Sequence, residues 1–256
     1  GTGLVGSEMC IRDSKQHPVI MEPYIAEFLG TFLLLLLGSG VVANVRLDES
    51  KGNGAGWLVI CWAWAVAVFI GVYTSVALGG SGHVNPAFTV GVAVFGDFDP
   101  ALVAGYVAAQ IAGAFLGSSA AWLAYRPHFQ LTSDPDAKLA VFSTAPAIRN
   151  TGSNLITEAI GTFVLVFGAL CISEPTDSLG ALDALPVGLL VLAIGLGLGG
   201  PTGYAINPAR DLGPRLAHAI LPIPGKRDGD WGYAWVPVVG PLLGGLLGAA
   251  LYGAVV

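Results

Sequence analysis

The chain has 256 residues, of which 54% are hydrophobic, only 11% are charged and 37 are glycine, a balance that marks a helical membrane protein and not a water-soluble domain. Its net charge of −6 is spread over the connecting segments without a basic block, which excludes nucleic acid as a partner. The cysteines Cys10, Cys61 and Cys171 are odd in number and have no Cys or His at ligand spacing, so they read as packing residues and no metal or cofactor is expected.

Residues 1–18 are polar and lack a signal-peptide layout. They read as a disordered or non-native extension, which leaves one membrane domain over 19–256. A helix needs roughly 20 apolar residues to cross the bilayer core. The first predicted span covers 22–44 and carries Glu27-Phe28-Leu29-Gly30-Thr31-Phe32; the second covers 57–78. Gly79-Gly80-Ser81-Gly82 then leads into His83-Val84-Asn85-Pro86-Ala87, after which 86–95 suits a helix too short to span. Asn is a favoured N-cap, because its side-chain oxygen accepts a first-turn N–H, and Pro fits the next position, where no N–H partner is needed. A third span is predicted over 101–125, with Gly105, Gly113 and Gly117 separated by multiples of four, a spacing that lets helices approach closely.

The second half repeats this order. A span over 154–173 carries Glu158-Ala159-Ile160-Gly161-Thr162-Phe163, and another follows over 184–199. The glycine-rich run up to Gly203 leads into Ala205-Ile206-Asn207-Pro208-Ala209-Arg210 and a second short helix over 208–218. A last span over 234–256 carries Gly240, Gly244 and Gly248. Asn85 and Asn207 lie 122 residues apart and Glu27 and Glu158 lie 131 apart, so the order is kept while loop lengths differ. The chain is a duplication, with repeats over about 22–125 and 154–256.

Three crossings plus one half-helix turn the second repeat upside down relative to the first. The half-helices then enter from opposite faces and bring their N-termini towards the midplane, where irregular backbone survives only if it lines a polar cavity. A path across the membrane follows. Glu27 and Glu158 cost several kcal/mol in an apolar helix unless hydrogen-bonded. Each reads as a brace for the N–H groups of a re-entrant segment, with a proton relay as the alternative. Arg46, Lys51, Arg126, Lys138, Arg149, Lys226 and Arg227 all fall on loops that a cytoplasmic N-terminus would put outside, against the positive-inside rule.

With both Asn-Pro-Ala boxes and Arg210 directly after the second, the sequence resembles the major intrinsic protein family, the aquaporins and glycerol facilitators, over residues 22–256. The resemblance implies an all-α bundle of six transmembrane helices and two re-entrant half-helices in an inverted repeat. It also implies a pore in each subunit, a homotetramer in the lipid of the cell membrane, and cytoplasmic termini. Asp211, Arg215 and the Pro237-Val238 pair resemble the glycerol-conducting branch. The implied function is a passive channel for glycerol, water and other small uncharged solutes such as urea, excluding protons and ions. A mainly water-selective channel is the alternative within the family. A coupled secondary transporter would need more intramembrane ionisable groups, and an enzyme would need a nucleophile–base pair or metal cluster that the sequence lacks.

The family's constriction aligns to Trp64, Gly195, Tyr204 and Arg210, with Trp62 as the alternative to Trp64. Trp64 and Tyr204 would face the carbon edge of glycerol, Arg210 would donate to its hydroxyls, and Gly195 would leave room for a three-carbon solute. The Tyr204 hydroxyl would make that corner polar. Asn85 and Asn207 would turn their NH2 groups into the lumen. The carbonyls of Ser81, Gly82, His83, Gly203, Tyr204 and Ala205 would form an acceptor ladder, and His83 would brace the loop or line the pore.

Overall fold

A computed structural model describes residues 23–172 and 180–256, which form ten α-helices and no strands among the described residues. The proposed extension 1–18, with Cys10, lies outside the described residues. Six helices are long and apolar enough to cross a membrane: α1 (Pro23–Arg46), α2 (Trp57–Ala77), α4 (Val103–Ala124, entered by a 3-10 turn at Pro100–Leu102), α7 (Thr151–Ile172), α8 (Ala184–Gly197, preceded by a 3-10 turn at Gly180–Asp183) and α10 (Val236–Val255). The half-helices are α3 (Pro86–Phe95) and α9 (Pro208–Ile220). Two short helices, α5 (Arg126–Leu131) and α6 (Pro135–Ala140), fold the loop between the repeats. No apolar period announced them. Pro127 stands in the first turn of α5, and Pro135 opens α6 behind an Asp134 cap whose carboxylate accepts from Asp136 N at 2.8 Å.

The glycines decide how the spans meet. A Cβ on Gly113 or Gly117 of α4 would press into the carbonyls of Phe28 and Phe32 on α1. A Cβ on Gly244 or Gly248 of α10 would meet those of Ala159 and Phe163 on α7 in the same way. Backbone therefore touches backbone in two equivalent pairs, α1 with α4 and α7 with α10. The half-helices are exchanged between the repeats. In the first, α3 lies on α10, where a Gly91 Cβ would come within 2.9 Å of Gly245 O; in the second, α9 lies on α4, where a Gly213 Cβ would meet Ile111 O at 2.8 Å. Neither repeat closes without the other.

The loops bearing the basic residues gather at one end of the bundle and bind each other. Lys138 donates to Pro224 O, Arg149 pairs with Asp230 at 2.6 Å, and Arg227 pairs with Asp136. Lys226 donates to the carbonyls of His218, Ala219 and Leu221, capping the C-terminus of α9. Four of the seven loop cations are thus structural ties, which accounts for their place at this end without appeal to topogenesis.

The helix contacts predict a contrast among alanine variants. Gly117→Ala and Gly248→Ala should each lower stability by about 1–3 kcal/mol through overpacking against backbone. Gly40→Ala, in open space on α1, should be neutral or stabilising because Ala is the better helix former. Thermal unfolding in detergent micelles reads the difference.

Candidate functional site: the paired half-helix tips

Asn85 and Asn207 each cap a half-helix from an extended backbone. Asn85 Oδ1 accepts from Ala87 N at 2.9 Å, and Asn207 Oδ1 accepts from Ala209 N at 3.0 Å and Arg210 N at 3.3 Å. The side-chain amides do more than face the lumen, as the sequence reading had them. Asn85 Nδ2 donates to Ile206 O at 2.8 Å, and Asn207 Nδ2 donates to Val84 O at 2.9 Å. One N–H of each amide is therefore consumed in a reciprocal bond that ties the two tips together. A single N–H on each remains for a visitor.

The strands of chain leading to these tips are strained in matching places. Val84 and Ile206, one residue before each Asn, have φ of 42° and 45°, and Gly82 and Tyr204, three residues before, have φ of 69° and 38°. A left-handed β-branched residue costs on the order of 1–3 kcal/mol and persists only when its surroundings over-determine it. Here both backbone groups of Val84 are held, its N–H by Glu27 Oε2 at 2.7 Å and its carbonyl by Asn207. Ile206 is held the same way by Glu158 Oε2 at 2.8 Å and by Asn85. Glu27 also accepts from His83 N, Ser75 Oγ and Gln110 Nε2, and Glu158 also accepts from Ala205 N at 3.0 Å. Both carboxylates are buried and engaged by the segments they were expected to brace. Ser75 and Gln110 were not singled out in the sequence, although a glutamine inside an apolar span is itself a signal that a polar partner waits nearby.

A cavity of about 370 Å³ passes the two tips, lined at its middle by Asn85 and Asn207 and on one side of them by Trp64, Tyr204 and Arg210. On the other side it is lined by Ser81, Gly82, His83, Phe88, Ala181 and Asp183. Arg210 Cζ lies 4.2 Å from the centre of the Trp64 ring, a cation–π contact between buried groups. Trp64 is 4% exposed, while Trp62 is 50% exposed on the outer face of α2, so Trp64 is the tryptophan that meets Arg210. Ala205 also lines the cavity, but Gly203 does not; it lies under Thr144 instead.

Two expectations about the constriction change. Gly195 does not open space for a solute, because the room its missing side chain leaves is filled by the Tyr204 ring: a Cβ there would stand 3.0 Å from Tyr204 Cζ and 3.2 Å from its hydroxyl. Nor does that hydroxyl make the lumen polar. It is buried and turned away from open space towards Gly195. A glycine on α8 is what allows an aromatic ring from the re-entrant segment to lie flat against that helix.

His83 sits in an aromatic cluster, its ring centre 4.7 Å from that of Phe98 and 5.4 Å from that of Tyr106, with Nδ1 3.2 Å from Thr89 Oγ1. At the other end, Asp211 and Arg215 face away from the cavity. Asp211 Oδ2 accepts from Thr144 N and Oγ1, both at 2.8 Å, and Oδ1 takes Arg215 Nε at 2.8 Å. Arg215 in turn donates to the carbonyls of Thr144, Gly229 and Asp230. The pair is fully buried and pins the loops over the residue that follows Arg210 in sequence.

Residues 14–252 match the family model described as Major intrinsic protein. The chain is similar to the probable glycerol uptake facilitator protein of Thermotoga maritima, 59% identical over 232 residues, 91% of this chain and 98% of that one. It is 54% identical to glycerol uptake facilitator protein 3 of Lactiplantibacillus plantarum over 228 residues, 89% of this chain and 94% of that one. Among solved structures, the aquaglyceroporin from Plasmodium falciparum superposes with a TM-score of 0.80 at 32% identity, covering 91% of this chain and 95% of that one.

Replacing Glu27 or Glu158 by Gln should lower stability by about 1–3 kcal/mol, since an amide NH2 would face backbone N–H groups left without an acceptor. Thermal unfolding and the yield of monodisperse protein measure the loss.

Proposed function

The chain belongs to the major intrinsic protein family, and on that premise we propose that it is a passive, uncoupled channel for glycerol and other small uncharged solutes, and for water, in the cell membrane. The observation that carries this reading is the reciprocal bond between the two Asn tips beside a continuous cavity: a path through the bilayer is built around two helix N-termini held fixed in its middle. The names of the relatives, glycerol uptake facilitators and an aquaglyceroporin, supply the solute class.

In this reading Trp64, Tyr204 and Arg210 are the selectivity filter. Aromatic faces take the C–H edge of glycerol, and the permanently charged guanidinium donates to its hydroxyl oxygens. Gly195 serves the filter indirectly by seating Tyr204. The left-handed residues before each Asn, Gly82 and Val84 in one half and Gly203, Tyr204 and Ile206 in the other, support a run of backbone acceptors at Ser81, Gly82, His83, Tyr204 and Ala205, which replace the hydration a solute loses. At the tips, the free N–H of each Asn donates to a passing oxygen, one from each half. A water held between two such donors cannot pass a proton onward, and the half-helix dipoles together with Arg210 repel cations. The two membrane-embedded carboxylates are occupied by loop N–H groups, which favours uncoupled flux over a proton relay. The outward apolar faces of α2 and α8, with Leu58, Trp62, Val66, Leu185 and Leu189 exposed, support burial in lipid and assembly as a homotetramer.

In proteoliposomes, stopped-flow light scattering should record glycerol uptake without a proton or sodium gradient and without accumulation above equilibrium. Trp64→Ala should admit bulkier polyols, whereas Trp62→Ala should leave the solute order unchanged. Gradient-dependent uptake would refute the channel, and a changed order with Trp62→Ala alone would refute the assignment of the filter wall.

A further inference from the structure

Trp64 makes its wall of the passage by lying on α1. A Cβ on Gly38 would stand 2.4 Å from both Cη2 and Cζ3 of the indole and 2.7 Å from Cε3, so the ring rests on glycine backbone. Leu34, one turn earlier on the same face of α1, lines the cavity, whereas Gly38 does not, because the indole covers it. The second repeat supplies the comparison. Leu165 and Ala169 of α7 stand 131 positions after Leu34 and Gly38, the offset that also relates Glu158 to Glu27, and both line the cavity directly. This helix position thus carries a methyl group where it faces the passage and only hydrogen where the indole covers it.

We propose that Gly38 is a positioning residue for solute selection: its missing side chain sets how far the Trp64 indole stands back, and so the width left between Trp64 and Arg210. The inference rests on the filter reading above. The physical reason is steric. Carbon atoms in contact sit about 3.5–4.0 Å apart, so a methyl at Gly38 requires the ring to give by about 1 Å. The helix itself is held, since Phe28 and Phe32 of α1 set their carbonyls against the glycines of α4. The ring is packed in the core on its other sides, and the open space it borders is the passage. It therefore moves into the passage. Glycerol, the wider solute, loses more by this than water does.

The experiment is the ratio of glycerol to water permeability in proteoliposomes, measured on the full chain. Gly38→Ala, which gives α1 the residue that α7 carries at the matching position, should lower the ratio about fivefold, the low end of what accommodating an extra methyl costs. Gly40→Ala, in open space on the same helix, should keep the ratio within about twofold of the parent. Trp64→Phe removes the part of the ring that lies on Gly38. Adding Gly38→Ala in that background should leave the ratio where Trp64→Phe alone set it, the signature of a coupled pair in a double-mutant cycle. If Gly38→Ala alone does not fold, the double variant takes its place, and it should fold and keep the Trp64→Phe ratio. An unchanged ratio in folded Gly38→Ala, an equal fall with and without the indole, or a double variant that also fails to fold would overturn the proposal and leave Gly38 a packing residue. If the parent protein itself conducts no glycerol, the proposed function fails and this inference with it, a result that the parent control separates from the others.

Discussion

Two helix N-termini set tip to tip inside an apolar slab are the constraint from which the rest of the structure follows. Their first-turn N–H groups have no helical partner, water is scarce, and an unpaired backbone group there costs several kcal/mol. Each Asn meets this demand by capping its own helix with its oxygen and binding the other half's backbone with its amide. The reciprocal bond places Val84 and Ile206 in left-handed backbone, and that strain requires further anchors. Buried glutamates on α1 and α7 provide them, because a carboxylate is the one side chain able to accept several N–H bonds at once without a donor of its own. Charges that are costly alone in a membrane helix become stable parts of a closed hydrogen-bond set.

The same tips explain why the two repeats cannot be read as separate bundles. Each half-helix packs on the last span of the other repeat, at glycines that let backbone touch backbone. The carbonyl that one repeat strains is bound by the amide of the other. Symmetry is therefore used to satisfy polar groups, and the cavity is what lies between two interlocked halves. It departs from symmetry where Glu27 takes Ser75 and Gln110 as additional donors, since the corresponding helices of the second repeat carry no hydroxyl on α8 and no amide on α10.

At the constriction, size is relational. The glycine at 195 makes no opening by itself; it yields its volume to an aromatic ring delivered by the re-entrant segment, and the passage is what remains between that ring, Trp64 and Arg210. Trp57, which meets that ring edge-on and donates to Gly195 O, stands on α2, 138 positions away in sequence from Gly195. On the loop side, Asp211 and Arg215 tie the segment around Thr144 to the start of α9, so the arginine at the cavity wall is followed by a residue locked into a buried ion pair. A paired charge of that kind keeps a loop in register more than it adds stability.

Much of this was legible in the residues alone. The duplicated boxes and glutamates, the apolar runs and their lengths determine six spans, two half-helices and their inversion, because bilayer thickness and helix rise leave few other solutions. They also lead to the reading that the glutamates brace loop N–H groups, with a proton relay as the alternative. What the chain order could not reveal is which polar atom finds which across the midplane. It could not show that one amide proton of each Asn is consumed by the opposite half, that Tyr204 fills the space Gly195 leaves, or that Trp64 and not Trp62 meets Arg210. Those outcomes depend on helix rotation and on distances of a few ångströms between elements remote in sequence. Periodicity fixes the length and apolarity of a membrane helix, but in a segment apolar on every face it does not fix which face turns inward. Only close packing against its neighbours decides that.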